Sequence, residues 1–396
     1  MKMWYCFEEK AKVKIIVISL KVAFILQRCY TDFRLVGIST IMGRKWGVSM
    51  VPSPVLSIIL PVFNGEAFIH KAIQSVINQE LKDWELIVIN DGSTDQSGAI
   101  ISDYCTLDAR ITKISQENKG LSAARNAGCL NATGKYIVFL DADDYVEPNY
   151  YKELIASTEE SGADFVVSGY TRDFVHSGGT TQLHPVRFEN QLLSCSHDKV
   201  QLHKSCAQTY FYNVYIHVWN KIYRRDFLQN HGIMFDESIR YAEDVPYNIE
   251  CLMHAKNIQF LSLTGYHYVC HQAERLTGKW RESLLDDNAR VYKQIADYER
   301  VCLKIGRSEV AAGMYLRSCY LVIEKAIAAK LSYQKTKEII QTLFSMFALN
   351  ESLATLQKHC KSKEFLIYRM IWSTKRPDLV YISVALRKCL KHAMGR

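Results

Sequence analysis

Between Val55 and Ser168, short apolar runs alternate with longer stretches of helical spacing, and this alternation leaves few folds open. Val55–Leu60 reads as a strand ending at Pro61, followed by strands at Trp84–Ile89, Ile111–Ser115, Tyr136–Leu140 and Ala163–Ser168. Helical spacing fills the gaps at Glu66–Asn78, at Gln96–Cys105 with Asp95 as its N-cap, and at Gly120–Cys129. A further helix opens near Pro148, since proline is tolerated in a first turn. Strand–helix–strand units of this length are right-handed crossovers, so the fold class is α/β with a mostly parallel sheet.

Past Ser168 the alternation fades. Residues 169–215 read as a short β excursion and a helix near His197–Thr209. Strands return at Trp219–Tyr223, Ile258–Leu263 and Tyr266–Cys270, with helices at Arg224–Asn230 and Asp244–His254. From Arg281 the pattern is helical, with apolar stripes in 284–303, 309–330 and 334–347, and Phe365–Met394 carries Lys and Arg on what reads as one amphipathic face. Three regions are expected: a poorly structured extension over 1–52, with Met50 as an alternative start; a catalytic domain over 53–280; and a basic helical region over 281–396.

Charge is unevenly spread. Residues 1–50 hold nine Lys/Arg against Glu8, Glu9 and Asp32, and residues 351–396 hold ten against Glu351, Glu364 and Asp378, so the net +8 leaves the middle acidic. Basic ends around an acidic centre point to contact with an anionic membrane surface and away from nucleic acid, for which no binding motif is present. The twelve cysteines form no C-x-x-C pair and no zinc spacing, as in a reducing cytoplasm. Val13–Leu26 is interrupted by Lys14 and Lys21 and is too short to span a bilayer; a short interfacial anchor is the competing reading.

Three strand ends carry polar clusters: Pro61-Val-Phe-Asn64, Asn90-Asp-Gly-Ser93 and Asp141-Ala-Asp-Asp144. Parallel strands share one carboxyl edge, so the three clusters should converge on one crevice. Hard divalent cations take oxygen ligands and are held by one or two carboxylates together with substrate phosphates, so the Asp-x-Asp suggests a metal-assisted nucleotide site, with a turn cluster of aspartates as the alternative. Neither G-x-G-x-x-G nor a P-loop lysine motif follows the first strand.

Ser57-Ile-Ile-Leu-Pro-Val-Phe-Asn64, Asn90-Asp-Gly-Ser-Thr-Asp95, Asn118-Lys-Gly-Leu-Ser-Ala-Ala-Arg-Asn-Ala-Gly128 and Phe139-Leu-Asp-Ala-Asp-Asp144 together resemble the family-2 inverting glycosyltransferases of bacterial polysaccharide synthesis. The resemblance covers about residues 54–275 and implies a GT-A fold, with a Rossmann-like sheet, a nucleotide-sugar donor and Mn²⁺ or Mg²⁺ on its diphosphate. It places Pro61, Phe63 and Asn64 along the nucleoside, with Asp91 accepting from the base, typically uracil. Arg125 falls to the diphosphate or the sugar, with a surface helix charge as the alternative, Arg275 to the diphosphate, Asp141 to the ribose or sugar side, and Asp143 to the metal. Asp244 is the expected base, supported by Glu243, and Trp219 is the aromatic on the acceptor side, with a buried core tryptophan as the alternative. His267 and His271 are weaker candidates near Arg275.

The processive synthases of this family carry Q-x-x-R-W and several membrane spans, whereas here Gln272-Ala-Glu-Arg275 is followed by Leu276. The expected activity is therefore addition of one sugar to a glycan or lipid-linked acceptor, in the cytoplasm or peripherally at the inner membrane face. A homodimer is the other use for the C-terminal helices. A catalytically silent nucleotide-sugar-binding scaffold is the alternative function, opposed by the presence of Asp141, Asp143 and Asp244.

Overall fold

The computed structural model describes residues 53–175, 181–194, 215–271, 280–301, 309–359 and 363–393. The expectations for the 1–52 extension, the helix near His197–Thr209 and Arg275 fall outside these residues. An eight-stranded sheet has the order β3-β2-β1-β4-β10-β6-β11-β9. Its members are β1 (Leu56–Val62), β2 (Trp84–Asp91), β3 (Ile111–Gln116), β4 (Tyr136–Phe139), β6 (Phe165–Ser168), β9 (Gln191–Ser194), β10 (Lys221–Arg224) and β11 (Asn257–Leu261). Every residue of β1 is buried, which its unbroken apolar run requires of a central strand covered on both faces.

β1, β2, β3 and β4 are parallel neighbours, and α1 (Ile69–Ile77), α2 (Ser97–Leu107) and α3 (Leu121–Asn131) connect them. α3 lies tight on the sheet because it presents small residues: a Cβ on Gly128 would stand 2.3 Å from Cγ2 of Ile59. α4 (Tyr150–Ser161) starts two residues after Pro148, with Asn149 at its N-cap position. β10 runs antiparallel to both β4 and β6, with Ile222 opposite Val138. This reversal puts the residues entering β10 beside the residues leaving β4. The strand read at Trp219–Tyr223 begins its ladder only at Lys221, because Trp219 and Asn220 form a turn.

The β excursion is larger than one hairpin. β7 (Tyr170–Val175) and β8 (Thr181–Val186) join β5 (Tyr145–Val146) and β12 (Tyr266–His271) in a second sheet of order β5-β12-β7-β8. Its β5–β12 pairing, Tyr145 opposite His267, fastens the turn that follows β4. α5 (Arg225–His231) and α6 (Asp244–His254) complete this region.

Six helices follow: α7 (Leu284–Val301), α8 (Glu309–Ala328), α9 (Tyr333–Ser345), α10 (Phe347–His359), α11 (Lys363–Ser373) and α12 (Pro377–Ala393). They enclose their own core, including Leu316, Ile323, Ile340, Leu356, Trp372 and Val384. The stretch expected as one basic amphipathic face is two helices broken at Lys375, whose φ is +49°. Their outward residues include the exposed Leu366, Ile367, Met370, Leu379, Ile382 and Leu386, so the outer face is more apolar than the sequence suggested.

Replacing Gly128 by Ala should destabilise the protein by about 1–3 kcal/mol through overpacking against Ile59, read as a lower urea midpoint with an unchanged slope.

Candidate active site

The loops after β1 and β2 are tied to each other by reciprocal hydrogen bonds. Asn64 sits at φ +50°; its Oδ1 accepts from the Thr94 amide at 2.8 Å and its amide donates to Ser93 Oγ at 3.1 Å. The Glu66 amide donates to Asp95 Oδ2 at 3.0 Å, and the Gln96 amide to Glu66 Oε2 at 2.8 Å. Burial pushes the Asp95 carboxyl up, but bonds from Ser97 and the Glu66 amide outweigh this and hold it below its usual range. Gln96 rather than Asp95 occupies the cap position of α2, and Asp95 reaches the Ser97 amide from one residue earlier. Pro61 is buried, Phe63 half-buried and Asn64 exposed along this double loop.

Asp91 lies beneath it, buried, and accepts from Gln116 Nε2 at 2.8 Å and from the Lys119 and Gly120 amides at 2.9 Å each. These bonds shape the turn into α3. Gly120 has φ +91° there, a backbone conformation that glycine adopts without the strain of a Cβ.

Three carboxylates follow β4 and have different surroundings. Asp144 is buried, with Oδ2 accepting from the Tyr266 hydroxyl at 2.7 Å and Oδ1 from the Val269 amide at 2.8 Å. Burial, then repulsion from Asp143 and Asp141, raises it well above the usual carboxyl range. Asp144 therefore pins the turn to β12. Asp141 and Asp143 are half-buried at the crevice. His267 stacks on Tyr145 at 4.3 Å, with Nδ1 2.9 Å from Asp173 and Nε2 3.2 Å from Glu147, so its nitrogens face carboxylates of the second sheet. Nothing is described for the His271 side chain.

Arg125 joins the two halves of the site. Its guanidinium is 3% exposed; Nη2 donates to Asp141 Oδ1 at 2.9 Å and Nη1 to Glu243 Oε1 at 2.8 Å. Burial alone would lower its pKa, but Asp141, Glu243 and Asp244 reverse the direction and fix it as a cation. The resemblance gave Arg125 to the diphosphate or the sugar; in this arrangement its two terminal nitrogens bind carboxylates from both walls. Its neighbours on α3 secure the same wall: Asn126 donates to the Phe235 carbonyl at 3.0 Å, accepts from the Phe235 amide at 2.9 Å, and donates to Glu237 at 2.9 Å. Asp244 opens α6 and accepts from the His217 amide at 2.6 Å. Burial and then Glu243 push its carboxyl up to about 6, against the opposing pull of His217, Arg125 and Lys221.

The model of the family described as Glycosyl transferase family 2 matches residues 57–232. The uncharacterized glycosyltransferase EpsJ of Bacillus subtilis (strain 168) is 39% identical over 215 residues, which are 54% of this chain and 61% of that protein. The putative glycosyltransferase EpsH of the same organism is 27% identical over 293 residues, 72% of this chain and 82% of that protein. The crystal structure of S. aureus TarS 1-349 in complex with UDP shares the fold at a TM-score of 0.54 and 19% identity, covering 86% of this chain and 92% of that one. Residues 57–232 thus match glycosyl transferase family 2. The sheet is the GT-A-type arrangement that the sequence led us to expect.

Within this family-2 match Trp219 is not an open platform. It is 4% exposed, stacked on Tyr266 at 4.5 Å, Tyr268 at 5.1 Å and His217 at 4.4 Å, so the core alternative describes it better than the acceptor-side one. His217 and Tyr268 are the half-buried outer members of the stack. The helical region also reaches the site. Arg281 donates to the Arg240 carbonyl at 2.6 Å, Arg290 to Ser238 Oγ at 3.3 Å, and Lys325 lies 4.1 Å from the Tyr241 ring centroid. Arg240, His217, Tyr266 and Lys221 were not singled out from sequence. Only Lys221 left a trace there, as a cation inside the apolar run Trp219–Tyr223.

Arg125→Met leaves two carboxylates facing one another without their cation and should cost about 3 kcal/mol in urea unfolding at neutral pH. Asp244 is raised in the folded state, so its ionisation destabilises the fold above about pH 6, and that cost fades as pH falls towards its unfolded value. Asp244→Asn should accordingly be more stable than the parent at pH 7.5, by about 2 kcal/mol, with the difference closing near pH 4.

Proposed function

We propose that this chain transfers one sugar, with inversion, from a nucleotide-sugar to a hydroxyl of a glycan or lipid-linked acceptor in surface polysaccharide synthesis. One observation carries the reading: Arg125 bridges Asp141 of the Asp-x-Asp turn to Glu243 beside Asp244, so the donor-side and acceptor-side acids line one crevice. A UDP-sugar is the favoured donor, supported by the TarS structures with UDP and with UDP-GlcNAc, which share this fold.

Asp244 suits a base. Its carboxyl, raised to about 6, is ionised at neutral pH yet basic enough to take a proton as the acceptor oxygen attacks the anomeric carbon. The bond to the diphosphate breaks on the opposite face, and the acceptor proton ends on Asp244. Because the His217 amide occupies Oδ2, Oδ1 is the oxygen that takes the proton. Glu243, held by Arg125, keeps its charge close to Asp244 and sustains its basicity. Pro61, Phe63 and Asn64 border the nucleoside, Asp91 shapes its floor, and Arg275 is assigned to the diphosphate.

The donor set suits a hard divalent cation shared with substrate. Asp144 has both oxygens engaged and Arg125 takes one oxygen of Asp141, and the half-buried Asp143 at the crevice is assigned to the metal. Among the described residues no group of three His, Cys, Asp or Glu could hold a metal unaided, consistent with an ion that needs the diphosphate to complete its shell. Mn²⁺ or Mg²⁺ bound there would offset the negative charge of the departing diphosphate. Among the described residues no single helix is long and apolar enough to cross a membrane. The exposed apolar residues of α11 and α12 support peripheral contact at the inner face of the cell membrane.

A panel of UDP-, GDP- and dTDP-sugars with Mn²⁺ tests this reading through nucleotide release and nucleotide-sugar binding. One donor should be turned over, with binding lost on chelation and in Asp143→Ala, and turnover at least roughly 100-fold lower in Asp244→Ala with binding retained. Absence of metal-dependent binding of every nucleotide-sugar would sink the transferase reading.

A further inference from the structure

A lysine ammonium buried in a strand between apolar neighbours is costly, so its surroundings must account for it. Lys221 is fully buried at the start of β10, and burial pushes its pKa down to about 7. Its Nζ donates to the Ile216 carbonyl at 3.1 Å, to the His217 carbonyl, and to Asn220 Oδ1 at 3.1 Å, which matches three donors to three acceptors. Asn248, also buried, reinforces the turn from α6 by donating to the Tyr215 carbonyl at 3.0 Å and the His217 carbonyl at 3.1 Å. Between these supports His217 is held at φ +66°, a left-handed conformation that a histidine adopts at a cost. In that conformation its amide meets Asp244 Oδ2 at 2.6 Å.

We propose that Lys221 is a positioning residue for the acceptor-side acid: by clamping the 216–220 turn it holds the His217 amide on one oxygen of Asp244 and leaves the other for the acceptor hydroxyl. This deepens, and rests on, the assignment of Asp244 as base. A glutamine amide offers two donors and no charge; the ammonium serves all three acceptors and also sets a positive charge toward Asp244. The charged groups facing Asp244 are Glu243, Arg125 and Lys221, so Lys221 is the cation that belongs to Asp244 without also bonding Asp141 or Glu243.

The test is a cycle of Lys221→Met, Asp244→Asn and the double variant in the full chain, with urea unfolding from pH 4.5 to 8 and UDP release from the sugar panel. Losing the clamp removes both the amide and the charge from Asp244. The pH above which the stabilisation by Asp244→Asn levels off should therefore rise by about one unit in the Lys221→Met background, while its onset near pH 4 stays put. UDP release should fall roughly 10- to 100-fold with UDP affinity unchanged, and combining the two changes should cost little beyond Asp244→Asn alone. An unmoved levelling-off pH, or losses that multiply, overturns the proposal. Full UDP release by Asp244→Asn overturns the base assignment and this role with it. If the parent neither binds nor turns over any nucleotide-sugar of the panel, the transferase reading fails, and the unfolding cycle still decides whether Lys221 orients Asp244. Should Lys221→Met fail to fold, Lys221→Gln enters the same cycle, and a smaller shift in the same direction is the expected result.

Discussion

The double ion pair of Arg125 is the constraint on which the rest of the crevice depends. Asp141 and Glu243 are both acidic, and Glu243 adjoins Asp244, so without a cation between them the two walls would repel each other. A guanidinium suits the task because its planar fork offers separate nitrogens to separate carboxylates and does not lose its charge on burial. Its position follows from small residues. Ala124 and Gly128 let α3 lie close on β1, and this closeness brings the polar side of the helix to the end of β4. Packing and electrostatics are thus one device here: the helix approaches because its side chains are small, and the approach makes the bridge short.

Around that bridge, polar groups of similar chemistry take different roles through their surroundings. Asp91 and Asp144 are enclosed by donors and shape backbone, whereas Asp141 and Asp143 remain partly open. Asp244 stands between these cases, with one oxygen engaged by the His217 amide. The family pattern contains all of these residues, yet only the partners distinguish a scaffold carboxylate from one free to meet a substrate.

The sheet, the α/β alternation and the strand-end clusters were legible in the sequence because each rests on local spacing. β1, β2, α3 and α6 lie close to where periodicity put them. What escaped notice involves partners far apart along the chain. Arg125 meets Glu243 across 118 positions and Tyr266 meets Asp144 across 122, distances over which no pattern of apolar residues carries information. The antiparallel insertion of β10 likewise depends on how the chain returns from the second sheet, and it moved Trp219 from an expected acceptor wall into an aromatic stack. The single amphipathic face read near the C-terminus is divided between two helices because the chain breaks at Lys375 and each helix buries different residues.

The grip of the C-terminal helices on residues 238–241 has a consequence for how a bound substrate would be felt. Arg281, Arg290 and Lys325 hold the backbone and side chains of the segment leading into Glu243 and Asp244. A ligand that steadies the acidic pair would also steady that segment, and through it the packing of α7 and α8. By linkage, occupancy of the crevice would then slow amide hydrogen exchange in helices that never touch the ligand, and loosening those helices would weaken its hold.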